Sequence, residues 1–181
     1  MILRDIVDDD RRAGEVIRRL WTLLKSGTVE PLDVDLNLTV AEILKLLAGE
    51  AGRRGVTLEP DLAGDLPPVR GDRVQLQQVV LNLVVNGMDA MGGVESRERR
   101  LTIRTHVTDE RTAGLEVRDR GTGIDGTTLD RIFQPYFTTK RDGLGMGLSI
   151  ARSIIEAHGG RIWATNNPGP GATFSLTLPL D

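Results

Sequence analysis

Asn82-Leu83-Val84-Val85-Asn86-Gly87-Met88-Asp89-Ala90 is the stretch that decides the reading of this chain. Asn82, Asn86 and Asp89 stand at i, i+4 and i+7, so a helix carries them on one face. Val79, Val80, Leu83 and Val84 fall on the other face and supply its packing surface. Taken alone, the polar row fits a solvated helix face as well as a site.

Three further motifs follow in order, and their company changes that balance. Asp119-Arg120-Gly121-Thr122-Gly123 puts an acid at a strand end before a glycine turn. A carboxylate held there accepts a hydrogen bond from an exocyclic amine such as adenine's, and Gly121 and Gly123 let backbone approach a flat ring. An ordinary strand-to-turn aspartate has the same look. Phe133-Gln134-Pro135-Tyr136-Phe137-Thr138-Thr139-Lys140 follows; Phe133 fits core packing, whereas Lys140 can reach a terminal phosphate as a point charge. Gly143-Leu144-Gly145-Met146-Gly147-Leu148 then opens a helix whose free N–H groups favour phosphate. Dinucleotide folds also use glycine loops, but no such fingerprint follows an early strand and no Gly-Lys-Ser/Thr is present. The amide oxygen of asparagine is a hard ligand suited to Mg²⁺, so the constellation points to ATP.

The rest of the sequence bounds the answer. Its 181 residues hold one domain and a short extra element, with 39% hydrophobic and 27% charged residues. A net charge of −3 gives no case for nucleic acid. There is no cysteine, and His106 and His158 are the only histidines, which excludes thiolate and histidine-rich metal sites. His158 reads as a helix C-terminal cap and His106 as an exposed strand residue. No apolar run reaches membrane-spanning length and no signal peptide opens the chain, so the expected location is cytoplasmic, with a parent protein tethered elsewhere still open.

Along the chain, Ile2 to about Ser26 has helical spacing, and Ser26-Gly27 and Pro31 mark a linker. Val34-Asp35-Leu36-Asn37-Leu38 alternates like a strand; Thr39 with Glu42 reads as a capping box opening a helix to about Arg54. Gly55 stops it before a strand at Val56 to Glu59. A helix from Asp72 to Met91 carries the first motif. Strands at Leu101 to Val107 and Ala113 to Arg118 follow, then a short helix near Leu129 to Ile132 and a mobile loop at Arg141 to Gly145. A helix from Met146 to His158 and a hairpin of Arg161 to Ala164 with Ala172 to Leu178 close the chain. The expected fold class is an α/β sandwich (α+β): a mixed, mostly antiparallel sheet with helices on one face, preceded by one N-terminal helix.

These motifs in this order resemble the catalytic and ATP-binding domain of two-component sensor histidine kinases, the Bergerat ATP-binding fold. The similarity runs from about Pro31 to the end, and Met146 to Gly160 is especially similar to the oxygen-sensing and nitrogen-regulation branch. The resemblance implies that Asn86 holds Mg²⁺ and that Asn82 assists at the phosphates, a catalytic role shared with Lys140. It implies that Asp119 binds adenine with Thr173, and that Thr138 to Gly147 forms a lid over ATP, bringing Thr138, Thr139, Lys140, Gly143, Gly145, Met146, Gly147 and Leu148 to the nucleotide, with Asp89, Gly121 and Gly123 beside it. Related gyrase-type and heat-shock-90-type ATPases carry a water-activating glutamate where this chain has Asn82, an amide that is no general base.

Sensor kinases also need an acceptor histidine followed by an acid, and neither His106 nor His158 has that context. The resemblance therefore divides the chain into 1–27, the second helix of a dimerisation hairpin, and 28–181, the catalytic domain. The implied partners are a histidine-containing dimerisation domain, a response-regulator receiver domain and a second copy through the N-terminal helix. The implied activity is protein histidine kinase, with the acceptor supplied from outside. A nucleotide-sensing or docking module without catalysis by this chain is the alternative; a stand-alone ATPase is disfavoured by Asn82.

Overall fold

The structure is a computed structural model, and it describes residues 32–109, 111–140 and 143–180. The helix expected over Ile2 to Ser26 lies outside the described residues. In chain order the elements are β1 (Leu32–Val34), α1 (Leu36–Arg53), β2 (Thr57–Asp61), β3 (Val69–Gly71), α2 (Arg73–Ala90), β4 (Arg100–Asp109), β5 (Thr112–Arg118), α3 (Gly147–Ala157), β6 (Arg161–Asn166) and β7 (Ala172–Pro179).

Five strands form one sheet in the order β2-β4-β5-β7-β6, with β2 parallel to β4 and every other pair antiparallel. β1 and β3 pair antiparallel in a small second sheet, and β3 has no counterpart among the expected strands. Alternation sets the two faces of the main sheet. Leu101 and Ile103, Leu115 and Val117, and Phe174 and Leu176 turn inward and are buried. They share one core with Leu83, Val84 and Met88 of α2, with Leu36, Val40 and Leu47 of α1, and with Ile155 of α3. Arg100, Arg118 and Thr173 occupy the intervening positions, on the face turned away from the helices. The expected sandwich with helices on one face is what forms.

The entry to α1 differs from the sequence reading. Val34 to Leu38 is not one strand: β1 ends at Val34 and the helix starts at Leu36. Asp35, not Thr39, is the N-cap, its Oδ1 accepting the Leu38 N–H at 2.9 Å. Thr39 is buried inside the helix and donates its hydroxyl to the Asp35 carbonyl at 2.8 Å. Glu42 closes no capping box; it bonds Arg73 and Gln77 of α2. The physical reason is burial: Leu36, Val40, Ile43 and Leu47 complete a helical stripe one turn earlier than the polar signals suggest.

The helix expected near Leu129 to Ile132 is a run of turns set by Asp125, which accepts from Thr127 N–H and Oγ1 at 2.8 and 2.6 Å. Gly55, with φ of 63°, ends α1 as expected. His158 caps two helices. Its Nε2 accepts the Asp72 N–H at 3.0 Å, which places the ring proton on Nδ1, where it meets the Ile154 carbonyl at 2.7 Å. His106 is half-buried rather than exposed, with its ring over Gly114 and no partner for Nδ1 among the described residues.

Candidate nucleotide site

α2 is the floor on which the motifs meet. Asp72 caps it, accepting from the N–H groups of Val74 and Gln75, and its apolar positions are sunk in the core. That burial aims Asn82, Asn86 and Asp89 away from the core as one half-buried polar row. Each of the other motifs touches this helix. Asn82 Nδ2 donates to the Gly147 carbonyl at 3.1 Å, at the start of α3. Lys140 Nζ lies 3.0 Å from Asn86 Oδ1 and 2.5 Å from Asp89 Oδ2. The glycine turn abuts the end of α2: the Thr122 N–H bonds the Ala90 carbonyl at 3.4 Å, and a Cβ on Gly121 would sit 2.5 Å from that oxygen.

Asp119 continues β5 beside β7 and is 1% exposed. Its Oδ1 accepts the Gly121 N–H at 2.7 Å and the Ala172 N–H at 3.3 Å. Oδ2 accepts from no other described residue and is left for a ligand. Burial pushes the carboxyl above the ordinary aspartate range, opposed by those backbone donors. A buried acid with one bonded and one open oxygen suits recognition of an amine.

Thr173 does not join Asp119. It pairs with Arg118, so its side chain lies on the outer face of the sheet while the Asp119 carboxylate lies on the inner one. Ala172 is the β7 residue at Asp119. Thr173 instead donates to Asn167 Oδ1 at 2.7 Å, and Asn167 Nδ2 reaches the carbonyls of Asp119 and Pro170 at 2.9 and 3.1 Å. Asn166 grips Ile124 through both of its backbone groups, at 2.8 and 2.7 Å, which braces the turn at Gly123 (φ 73°). The adjacent Asn166-Asn167-Pro168-Gly169 turn signal was the available cue to both residues. Arg54 was also missed: at the end of α1 it bonds Asp89 Oδ1 at 2.5 Å and Glu50 at 2.6 Å. No local motif marks it.

The glycine-rich end of the site is built from backbone. α3 opens without a side-chain cap, and its first helical bond runs from the Ile150 N–H to the Met146 carbonyl at 3.0 Å. The N–H groups of Gly147, Leu148 and Ser149 therefore precede the ladder and face outward along the helix axis, an arrangement that suits an anion. Gly145 has φ of 65° and packs within 2.6 Å of the Phe137 carbonyl for any added Cβ, so the loop must pass close to the aromatic segment. Thr138 Oγ1 accepts the Lys140 N–H at 3.1 Å and adjoins Gly143. Leu148 packs on the core, Phe133 meets Phe174 edge-on at 6.4 Å, and Thr139 is exposed. Of the loop expected to be mobile, residues 141–142 lie outside the described residues.

Asn86 Oδ1 accepts from one cation, the Lys140 ammonium, and an amide oxygen is a hard ligand of the type Mg²⁺ takes. Among the described residues no group of three or more acidic or histidine side chains could cage a metal. Mg²⁺ fits such a site only as an ion brought with phosphate oxygens and water, which is its usual habit. A separate hollow of about 160 Å³ lined by Arg100, Thr102, Arg118 and Arg120 lies on the outer sheet face.

The family model described as "Histidine kinase-, DNA gyrase B-, and HSP90-like ATPase" matches residues 71–181, which contain all four motifs. The chain belongs to this family. It is an ATP-binding domain of the kind found in sensor histidine kinases. It is 41% identical over 168 residues to the sensor protein FixL of Bradyrhizobium diazoefficiens, covering 93% of this chain and 33% of FixL. It is 39% identical over 170 residues to the sensor protein TdiS of Thauera aromatica, covering 93% of this chain and 31% of TdiS. This ATP-binding chain thus spans about a third of these relatives. In structure it matches the catalytic domain of histidine kinase ThkA with a TM-score of 0.74 at 30% identity, covering 83% of this chain and 96% of that one. A second match is ThkA in complex with the response regulator protein TrrA, with a TM-score of 0.78 at 26% identity, covering 97% of this chain and 49% of that one. Among the described residues no helix is long and apolar enough to cross a membrane.

Proposed function

We propose that this ATP-binding domain positions Mg·ATP for phosphoryl transfer to a histidine on a dimerisation domain outside this chain. The observation that carries the reading is the convergence on α2: Asn82 at Gly147, Asn86 and Asp89 at Lys140, and Ala90 at Gly121. A base at one end and phosphates at the other then fit one helix length. Asp119 Oδ2 binds the adenine amine, and Gly121 and Gly123 admit the ring. The N–H groups at the start of α3 hold phosphate, and Asn86 Oδ1 is the protein oxygen for Mg²⁺. The metal, when bound, neutralises charge on the phosphate oxygens during transfer. Asn82 acts through Gly147, fixing where the phosphate-binding helix begins.

Transfer rather than hydrolysis is supported by the chemistry of Asn82. Its amide already bonds Gln78 and Gly147, at 3.2 and 3.1 Å, and has no basic group with which to activate water. The attacking nitrogen must therefore arrive on another element, positioned against the phosphate by domain contact. We infer the boundary between a dimerisation element and the catalytic domain at about residue 28, supported by the compact unit formed by Pro31–Asp181. ThkA's complex with TrrA supports a receiver domain as the next partner in a cytoplasmic relay.

The test is transfer in trans. The chain is incubated with γ-labelled ATP, Mg²⁺ and a separately made dimeric histidine hairpin from a related kinase. Acid-labile, base-stable label on the hairpin is the expected result. ATP binding without transfer to any such hairpin would instead favour a nucleotide-sensing module.

A further inference from the structure

We propose that Lys140 sets the preference of this site for a nucleoside triphosphate over a diphosphate, by exchanging one anchorage for another. The inference rests on the ATP reading above and deepens it. Lys140 bonds two oxygens of α2: Asn86 Oδ1 at 3.0 Å and Asp89 Oδ2 at 2.5 Å. Asp89 is itself held from the other side, because Arg54 takes Oδ1 at 2.5 Å and is backed by Glu50 at 2.6 Å. The chain Glu50–Arg54–Asp89–Lys140–Asn86 thus fixes a lysine ammonium on the oxygen that suits a metal.

Two cations compete for that oxygen. Mg²⁺ binds oxygen ligands at about 2.0–2.1 Å, so a metal on Asn86 Oδ1 would lie within about 5 Å of an ammonium still bonded there. The two positive charges repel, and Lys140 must leave. Leaving costs two hydrogen bonds, one of them to a carboxylate that is itself half-buried. A lysine on a flexible four-carbon stem can recover that loss only by finding a new anion. A triphosphate carries one more phosphate group than a diphosphate with the same metal, and that group is the partner the released ammonium needs. With a diphosphate the displacement is uncompensated.

The geometry therefore gives Lys140 opposite effects on the two nucleotides. Removing the ammonium frees Asn86 for the metal, which favours Mg·ADP. It frees Asn86 equally for Mg·ATP, but there it also removes the partner of the terminal phosphate, a multiply charged anion whose bond to the ammonium outweighs the two exposed contacts given up, so Mg·ATP weakens. A residue that merely attracted phosphate would change both affinities in one direction.

Calorimetric titration of the full chain with Mg·ATP and Mg·ADP tests this for Lys140→Met. The expected result is tighter Mg·ADP, weaker Mg·ATP and a ratio of affinities shifted about tenfold or more toward ADP, the loss of one charge-assisted bond. Asp89→Asn provides the second arm: it loosens Lys140 without removing it, so both nucleotides bind more tightly. An unchanged ATP-to-ADP ratio in Lys140→Met, or weaker binding of both nucleotides in it, overturns the inference. So does weaker binding of both in Asp89→Asn. Failure of the unsubstituted chain to bind either nucleotide would instead refute the ATP reading itself.

Discussion

Replacing Asp119 by Asn should stabilise the fold and damage the site at once. The substitution preserves shape, and the amide Oδ1 can still accept the Gly121 and Ala172 N–H groups. What changes is the second position, where an open carboxylate oxygen becomes an NH₂. Burial raises the Asp119 pKa, so the folded protein holds its proton more firmly than the unfolded chain does. Stability from this group is present at low pH, where both states are protonated, and is lost as pH rises through the folded value. Asp119→Asn removes that loss, so the variant melts higher at pH 7, and its advantage shrinks as pH falls toward about 4, the ordinary aspartate range. Binding moves the other way. A hydrogen bond to a charged group is worth about 1.5–3 kcal/mol, which corresponds to roughly 10–150-fold weaker ATP. The amide also turns a donor toward the adenine amine. Thermal melts at pH 7 and 4.5 with ATP titration at pH 7 measure both. A variant that melts lower at pH 7 and binds ATP normally would refute the assignment of Asp119 as a strained recognition acid.

Further outcomes follow from the same geometry. Asp35→Ala costs about 1 kcal/mol in urea denaturation, the usual loss for a helix N-cap, whereas Thr39→Ser, keeping the hydroxyl, acts only through lost packing. Gly121→Ala costs on the order of 1–3 kcal/mol, because its Cβ would meet backbone atoms of Ala90 at 2.5 and 2.7 Å that have nowhere to swing; denaturation monitored by circular dichroism reads it. Asn82→Ala removes the bond that ties α2 to Gly147, so stability falls by about 1 kcal/mol and Mg·ATP binding weakens, while binding of adenosine, which has no phosphate, is unchanged.

Much of this was readable from the chain because periodicity is a strong signal over a long element. Asn82, Asn86 and Asp89 could be assigned to one face since the α2 apolar positions left only one face for them. The meeting of four motifs was expected from their chemistry, and α2 is where they meet. The failures have physical causes. Val34 to Leu38 is too short a window to separate a period of two from one of 3.6, and the stripe that resolves it extends to Leu47. Thr173 shows how sharp strand parity is: a one-residue difference from Ala172 moves a side chain through the sheet. Arg54 reaches Asp89 across 35 positions, and Asn167 reaches Asp119 across 48, so neither bond leaves a local trace.

The most direct test of the central claim is a crystal structure of the chain with Mg²⁺ and a non-hydrolysable ATP analogue. The expected complex has the adenine amine on Asp119 Oδ2, the metal on Asn86 Oδ1, phosphates at the start of α3 and Lys140 moved from Asp89 to the terminal phosphate. A nucleotide seated on the outer sheet face among Arg100, Arg118 and Arg120, with Asp119 and Asn86 untouched, would contradict it.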